Sequence, residues 1–418
     1  MRHTAVIIGA GPGGGAAAVR LLQRGVRDVV LVDKDRFPRE KTCGSALSPN
    51  GLKLTDELGV GDEVRRLGYV INSLRIKTPG NREMQLSTEQ AAIVLLRKHF
   101  DNLLVAEAQR LGADFRPAWK ASELIHEGGR VVGVRSRDEE LRADYVLCAD
   151  GAHSIFSWDE RPKRTISTLM GWWEDLAFQP GTMEMIFDKH LSPLYGWMFP
   201  ESENRVNIGI CMDGEEDSAL AREHDGRKKT TRNVREVFDR FLDDHFRDRL
   251  AGARQIGKLK GHPISYTTWI KDCAGEGVLY LGEGARITHN ATGEGIYQAM
   301  QSGVYAADAI ADVASGSASE KQAWSRYLWK NRQRFTFGFV MGHVLRGALK
   351  TPLFDAIAVG YNTPLVRKLA TWAVGSALAG SHVDASGPAQ AVVASAVSAA
   401  NPGGAGKSPL SRGQAAAS

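Results

Sequence analysis

The sequence predicts an α/β fold in which a doubly wound parallel sheet carries an inserted antiparallel sheet and a group of C-terminal helices. Three apolar runs, residues 4–8, 144–149 and 277–281, each lead directly into a glycine turn, as buried parallel strands do at their carboxyl ends. Between the last two runs, residues 164–212 alternate and are rich in aromatics, which is typical of antiparallel strands. Residues 322–380 return to helical spacing, so we expect helices there.

Composition and charge narrow the class of protein. The chain has 418 residues, 43% hydrophobic and 24% charged, an ordinary globular balance. Its 53 basic and 48 acidic residues leave a net charge of +5, too small an excess to indicate nucleic acid as a partner. Four widely spaced cysteines form no C-x-x-C pair and signal neither zinc nor disulfides, so we expect a reducing, cytoplasmic location. No apolar run reaches the ~18 residues of a membrane span, although peripheral membrane contact stays open.

A glycine loop follows the first predicted strand and opens an alanine-rich helical segment. Gly9, Gly11 and Gly14 stand at the spacing that a dinucleotide pyrophosphate requires. Gly9 permits the tight turn, Gly11 lets the backbone approach the phosphates, and Gly14 allows close packing of the helix on the strand. The first helical N–H groups then face the ligand. Such glycine loops also occur as plain turns, so the choice between a dinucleotide-binding loop and a plain turn depends on the rest of the chain.

Three charged residues follow later elements of the same pattern. Asp33 ends the second predicted strand, 19 residues after Gly14, where a carboxylate accepts hydrogen bonds from the adenosine ribose; the alternative is a surface aspartate. Arg97 lies in the first turns of a predicted helix and suits either a diphosphate or a nearby carboxylate. Asp150 begins an Asp-Gly turn directly after the strand at 144–149.

These turns, together with a late Gly282-Glu283 turn, resemble the FAD-binding framework shared by aromatic hydroxylases, flavin halogenases and geranylgeranyl reductases. The resemblance spans essentially residues 3–350. It implies a Rossmann-like FAD-binding domain of the glutathione-reductase type. Within that framework, Arg97 would lie beside the flavin's diphosphate and ribityl chain, and the backbone at Asp150 would lie near the pyrophosphate.

Two stretches resemble the geranylgeranyl reductase branch in particular. The loop at residues 39–48 is similar to that family's Lys-x-x-Cys-Gly segment over the flavin, and residues 195–200 match its Tyr-x-Trp-x-Phe-Pro pattern. Residues 292–296 match the loop that passes the isoalloxazine. Halogenases typically carry Trp-x-Trp-x-Ile-Pro instead, so Tyr195 and Phe199 weaken that reading. The resemblance implies FAD contacts from Gly9, Gly11, Gly14, Asp33, Lys41, Cys43, Gly44, Arg97, Asp150, Gly282, Glu283, Gly293, Gly295 and Ile296.

The chain departs from the family pattern beside the flavin's reactive ring. The family usually has Gly-Asp where this chain has Gly282-Glu283, so a glutamate replaces the aspartate. Arg286 replaces a usual glycine, and residues 289–291 stand where the family commonly has a proline. His289 is therefore a candidate proton donor or substrate contact, with a structural role as its alternative. The candidates for a part in catalysis are Cys43, Tyr195, Trp197 and His289.

The expected domain division follows from the resemblance. Residues 1–155 and 266–320 would form a discontinuous FAD-binding domain, and residues 156–265, with parts of 70–95, a substrate domain. Residues 321–380 would form a C-terminal helical region. Residues 381–418 consist largely of Ala, Ser, Gly and Pro and are expected to be a disordered tail.

The leading functional hypothesis is an FAD-dependent oxidoreductase that reduces carbon–carbon double bonds of a prenyl or other hydrophobic substrate. Protonation by an acid or an ordered water would complete the reduction. Electrons would come from NAD(P)H or another reductant, or from a separate electron-donor protein. The alternatives are an NAD(P)H- and oxygen-dependent hydroxylase, a flavin-dependent halogenase, and a non-catalytic electron carrier.

Overall fold

The computed structural model describes residues 2–137, 139–156, 164–214, 233–361 and 363–364, without the side chains of 88–91. The expected tail at 381–418 lies outside these residues. The described strands are β1 (Arg2–Ile8), β2 (Val29–Val32), β3 (Ala46–Leu47), β4 (Tyr69–Lys77), β5 (Glu83–Val94), β6 (Asp114–Arg116), β7 (Glu123–Glu127), β8 (Arg130–Ser136), β9 (Glu139–Cys148), β10 (Arg164–Glu174), β11 (Thr182–Ile186), β12 (Gly196–Ser202), β13 (Arg205–Asp213), β14 (Arg254–Tyr266), β15 (Ala274–Gly275) and β16 (Val278–Tyr280).

The described helices are α1 (Pro12–Gln23), α2 (Pro49–Glu57), α3 (Gly61–Leu67), α4 (Arg97–Leu111), α5 (Val234–Leu250), α6 (Ile296–Ala314), α7 (Glu320–Ala348) and α8 (Leu353–Gly360). A short 3₁₀ turn at Gly282–Ala285 follows β16. Across this part of the chain, no helix is both long and apolar enough to cross a bilayer.

The first sheet has the predicted doubly wound core. Its strand order is β15-β16-β9-β1-β2-β6, and β1 pairs in parallel with both β9 and β2. Val29–Val32 are buried throughout because helices cover both faces of a parallel sheet. Since the carboxyl ends of β1, β9 and β16 meet at one edge, the three glycine turns come together there.

Small residues let the helices of this domain approach one another closely. A Cβ at Gly303 of α6 would lie 2.3 Å from the Gly13 carbonyl oxygen of α1, and one at Gly15 would lie 2.8 Å from Cβ of Leu104 in α4. Helix α1 is therefore held between α6 and α4. This packing fixes the direction in which the amino end of α1 points.

The second sheet follows the order β14-β10-β13-β12-β11-β4-β5-β3. Most of its pairs are antiparallel, as predicted, but β11 pairs in parallel with β4. A parallel pair needs a long connection between its strands, and the chain between β4 and β11, which includes α4, provides one. Residues 46–47 and 69–94 thus extend the sheet built mainly by residues 164–266.

The aromatic-rich C-terminal segment forms the long helix α7. Ser319 caps it, since its side chain accepts from the Gln322 N–H in a capping box. Four aromatics of α7 pack into the core, namely Trp324, Tyr327, Phe335 and Phe339. Trp329 and Phe337 lie on the surface instead.

Candidate active site

A cleft of about 500 Å³ separates the carboxyl edge of the first sheet from one face of the second. The glycine loop, the turn at 149–152 and the turn at 281–283 line one side. The second sheet lines the other side, and residues 41–45 also line the cleft. The cleft therefore brings together segments that are nearly 300 residues apart in sequence.

The glycine loop takes the conformation that its sequence predicts. Gly9 has φ +97°, and a Cβ there would lie 2.5 Å from the Ala149 carbonyl oxygen, so the first two turns touch because Gly9 has no side chain. A Cβ at Gly14 would lie 1.9 Å from the Gly9 carbonyl oxygen. Gly14 therefore shapes the loop from behind, whereas Gly9 and Gly11 line the cleft.

Asp33 is buried at the end of β2 and faces the same loop. Its Oδ2 accepts from the Ala10 N–H at 2.8 Å, and its Oδ1 accepts from the Asp35 N–H at 2.9 Å. These bonds hold the carboxylate at the edge of the cleft, which it lines. A carboxylate oxygen has lone pairs for more than one donor, so the side chain can still accept hydrogen bonds from a ligand, and its role toward a ribose stays a prediction.

Arg97 forms a buried ion pair at the start of α4. Its guanidinium donates to both carboxylate oxygens of Asp101, at 2.7 and 2.8 Å, and Arg39 approaches the same carboxylate at 3.0 Å. Burial lowers the pKa of Arg97, but the charge of Asp101 outweighs it and raises that pKa above the usual value. Two guanidiniums thus share one carboxylate beside Gly11, which leaves positive charge for a diphosphate.

Lys41 meets His262 of β14 across the cleft, and sequence reasoning missed this histidine. Lys41 Nζ lies 2.8 Å from His262 Nε2. Burial, together with the charge of Lys41, lowers the pKa of His262 to about 4, so the ring is neutral and accepts from the lysine. Burial also lowers the pKa of Lys41, with Arg97 adding to the shift.

The late turn joins the two sheets. Gly282 has φ +52° and donates its N–H to Ser302 Oγ at 2.9 Å. Glu283 Oε1 accepts from the Ser265 N–H of β14 at 2.7 Å. The aspartate of the family pattern is one methylene shorter and would not reach as far toward β14. The departure at Glu283 therefore ties the cofactor side of the cleft to the second sheet. Asp150 and Glu283 both line the cleft.

The face of the second sheet that lines the cleft is mostly apolar. Alternate residues of its strands point inward, as the pleat of a strand requires. The apolar residues that line it are Ala92, Met170, Met183, Met185, Trp197, Phe199 and Ile264. Gly44 lies against this wall, since a Cβ there would lie 3.2 Å from the Phe199 ring.

Tyr195 and Trp197 are both fixed by hydrogen bonds rather than free in the cleft. The Tyr195 hydroxyl donates to the Thr292 carbonyl oxygen, and burial raises its pKa well above the usual value. Trp197 Nε1 donates to Asn207 Oδ1 at 2.7 Å. Their rings pack edge to face at 6.3 Å and form part of the wall, and Cys43 also lines the cleft.

Residues 292–295 precede α6 and pass directly along the cleft. Gly293 has φ +67° and donates its N–H to the His289 carbonyl oxygen at 2.9 Å. Gly295 caps α6, and Ile296 begins it. The N–H groups at the start of this helix therefore face the cleft, an arrangement that favours negative charge.

His289 does not line the cleft, and its predicted role as a proton donor needs correction. Its side chain is fully buried behind the loop, where a Cβ at Gly342 of α7 would lie 3.0 Å from the ring. Its Nδ1 accepts from the Thr292 N–H at 3.2 Å and lies 2.9 Å from Thr292 Oγ1. Because Thr292 in turn accepts from Tyr195, His289 holds the loop in place.

Acid is expected to destabilise the protein through His289. Burial lowers its pKa from 6.5 to about 4, so this contribution to stability is complete above pH 6.5 and is lost as the pH falls towards 4. We expect His289→Gln to flatten the pH dependence of unfolding in that window by roughly 3 kcal/mol. Urea unfolding at a series of pH values from 7.5 to 4 measures the free energy of unfolding. If that free energy fell with pH as steeply in the variant as in the wild type, the role of His289 would be contradicted.

The cleft suits FAD by the chemistry of its lining. Gly11 offers backbone without a Cβ beside two guanidiniums, at 3.6 and 3.7 Å from where the Cβ would stand. The cleft thus presents a carboxylate, a cationic pair and a helix start, the kinds of group that bind a ribose, a diphosphate and other negative charge. In the comparison with protein families, the model described as "FAD binding domain" matches residues 2–327. The chain belongs to this FAD-binding family.

Relatives of this FAD-binding protein span most of its length. A protein of Methanopyrus kandleri named digeranylgeranylglycerophospholipid reductase 1 is 26% identical over 357 residues, which cover 81% of this chain and 88% of the relative. A digeranylgeranylglycerophospholipid reductase of Methanocella arvoryzae is 28% identical, covering 78% and 81%. Because the chain belongs to the FAD-binding family and relatives along most of its length are named reductases, it is an FAD-dependent oxidoreductase.

Solved structures confirm the fold of this FAD-binding protein. A geranylgeranyl bacteriochlorophyll reductase-like protein of Thermoplasma acidophilum has a TM-score of 0.74 at 23% identity, covering 88% of this chain and 98% of that one. A flavin-dependent brominase has a TM-score of 0.75 at 18% identity, covering 91% and 94%. Both confirm the predicted arrangement of an FAD domain with a second sheet.

Proposed function

We propose that the protein uses FAD to reduce carbon–carbon double bonds of a prenyl or other hydrophobic substrate. The observation that carries this proposal is the apolar wall of the second sheet, which faces the cofactor side across the cleft. A hydrocarbon chain gains about 0.8 kcal/mol for each CH₂ that it buries there. The names of the relatives, which refer to reductases of geranylgeranyl lipids, support the same substrate class.

Residues of this chain would hold the cofactor at both ends. Asp33 would accept from the adenosine ribose, and Arg97 with the glycine loop would bind the diphosphate. Lys41, Cys43 and Gly44 on one loop, and Gly293, Gly295 and Ile296 on the other, would hold the flavin. When bound and reduced, FAD supplies a hydride equivalent to the substrate carbon.

The second sheet would orient the substrate and exclude water. The thioethers of Met170, Met183 and Met185 are flexible and adapt to a chain of irregular shape. Trp197 and Phe199 are rigid by comparison and would set the distance between chain and flavin. Because Gly44 has no side chain, the loop that carries it can lie close to the Phe199 ring.

Electrons would reach the flavin from NAD(P)H or from a separate electron-donor protein. A substrate of this class resides in membranes, so peripheral membrane contact and a cytoplasmic location belong to the same proposal. Anaerobic assays with NADPH, NADH and a reduced ferredoxin compare the donors directly through bleaching of the flavin absorbance.

Reoxidation of the reduced flavin without oxygen tests the function. The FAD-loaded protein is reduced with dithionite under nitrogen, then mixed with a geranylgeranyl lipid or with its fully saturated analogue. We expect the flavin to be reoxidised only by the unsaturated lipid, with a gain of two hydrogens per bond in the mass spectrum. Reoxidation that requires oxygen and gives a hydroxylated or halogenated product would overturn the proposal.

Shortening Phe199 is expected to weaken the use of hydrophobic substrates. Phe199→Ala removes a ring from the apolar wall, so we expect kcat/KM for a prenyl lipid to fall about 10- to 100-fold. The matched control is Phe337→Ala, because Phe337 is 49% exposed on α7. Equal effects of the two substitutions would argue against the wall as the substrate site.

A further inference from the structure

A buried carboxyl group lies in the loop that precedes α6, and the reaction proposed above does not yet use it. Glu294 lines the cleft between Gly293 and Gly295. Gln298 donates to its Oε2 at 3.0 Å, and the Ser48 hydroxyl bonds to the same carboxyl group. Among the described residues, its Oε1 is buried without a hydrogen-bond partner. A lone ionised oxygen in that position is costly, whereas a protonated one is not.

The surroundings of Glu294 favour its neutral form. Burial raises its pKa to about 7, although the hydrogen bonds from Ser48 and Gln298 act in the opposite direction. The other titratable groups that face it are Tyr195 and Tyr297, whose own pKa values are raised by burial. Neither tyrosine supplies a positive charge that would hold Glu294 ionised.

Three other titratable groups that line the cleft are committed to hydrogen bonds. The Tyr195 hydroxyl donates to the Thr292 carbonyl oxygen. His262 is neutral and faces the Lys41 ammonium, and Glu283 accepts from a backbone N–H of β14. Ser48 also lines the cleft; its hydroxyl bonds to Glu294, and its Oγ accepts from the Gly51 N–H at 3.3 Å. Its hydroxyl therefore connects the buried carboxyl group to the cleft.

We propose that Glu294 holds the proton for the reduction and passes it through the Ser48 hydroxyl to the substrate. This inference rests on the proposed function. In the step, a hydride from reduced FAD forms one new C–H bond, and the electron pair of the double bond forms the second with the proton of Ser48. Ser48 takes the proton of Glu294, which is left as a carboxylate. A proton from water then restores the acid before the next turnover.

Infrared spectroscopy of the FAD-loaded protein tests the proton site without substrate. A difference spectrum between pH 6 and pH 8.5 should contain a neutral carboxyl band that is absent from Glu294→Gln. The matched control is Glu83→Gln, because Glu83 is an exposed carboxylate on β5 and its loss should leave the band unchanged. Persistence of the band in Glu294→Gln would overturn the proposal.

Rapid reoxidation of the reduced flavin by substrate tests the proton transfer. We expect Glu294→Gln to slow it about 100-fold or more with FAD still bound, and Ser48→Ala to slow it while the carboxyl band remains. Glu294→Asp should recover part of the rate with a displaced pH profile. An unchanged rate and pH profile in Glu294→Gln would overturn the transfer. If wild-type protein shows the band but reduces no double bond, the proposed function fails while the proton site is supported.

Discussion

Replacing Gly14 by alanine is expected to destabilise the protein by about 3 kcal/mol or more, even without FAD. The new Cβ would lie 1.9 Å from the Gly9 carbonyl oxygen and 3.1 Å from Ile7 Cγ2. Neither neighbour can move freely, because one is backbone and the other belongs to the central strand of the first sheet. Urea unfolding of the FAD-free protein measures the change.

Gly11→Ala is the matched control within the same loop. Its Cβ would meet only the guanidinium ends of Arg97 and Arg39 at 3.6 and 3.7 Å, so the free energy of unfolding should change by less than about 0.5 kcal/mol. The same Cβ would occupy cofactor space and weaken FAD binding by about 10- to 100-fold. If Gly14→Ala unfolded no more easily than Gly11→Ala, this account of the loop would be wrong.

Asp101→Asn is expected to lower the free energy of unfolding by about 3–5 kcal/mol. Asp101 is fully buried, and its carboxylate neutralises the guanidiniums of both Arg97 and Arg39. The asparagine keeps the volume of the side chain but removes the charge that both guanidiniums share, and it leaves Arg39 only its longer contacts with Asp33 and Asp35, at 3.8 and 4.0 Å. Because the diphosphate of FAD brings negative charge to the same place, the loss should be smaller in the FAD-loaded protein than in the FAD-free protein.

Asp114→Asn is the matched control for this charge. Asp114 pairs with Arg116 at 2.8 Å, but its side chain is 53% exposed, so its loss should cost less than about 1 kcal/mol. Thermal unfolding of Asp101→Asn and of Asp114→Asn, each with and without FAD, measures these differences. A destabilisation by Asp101→Asn that FAD does not reduce would show that the arginines do not face the diphosphate.

The sequence predicted the fold and the cofactor correctly wherever the pattern that indicates them lies within a short stretch of the chain. Strand, glycine turn and helix follow one another within residues 4–23, and Asp33 follows the next strand at a fixed spacing, so the cofactor and the first sheet could be predicted. The strands of the second sheet between 182 and 213 alternate clearly enough to be located. The family resemblance implied that the loops at 39–48 and 292–296 lie beside the flavin, and the structure brings residues of both loops to one cleft.

What the sequence could not predict depends on distant contacts. Lys41 and His262 are 221 residues apart, and no local pattern marks the histidine as a cleft residue. His289 was a candidate proton donor because it lies among the departures from the family pattern beside the flavin ring, but its side chain is fully buried and packs against Gly342 of α7. Glu294 stood within a recognised motif, and only its burial and its neighbours Ser48 and Gln298 indicate a proton-holding role.

The order of strands in the first sheet has a consequence for biosynthesis. β1 is made first, yet its neighbour β9 begins at Glu139, and α6, which presses against α1, ends at Ala314. At roughly 5–20 residues per second, the ribosome takes on the order of 15–60 seconds to supply these partners. The nascent glycine loop must wait unliganded throughout, so chains truncated before about residue 314 should capture no FAD.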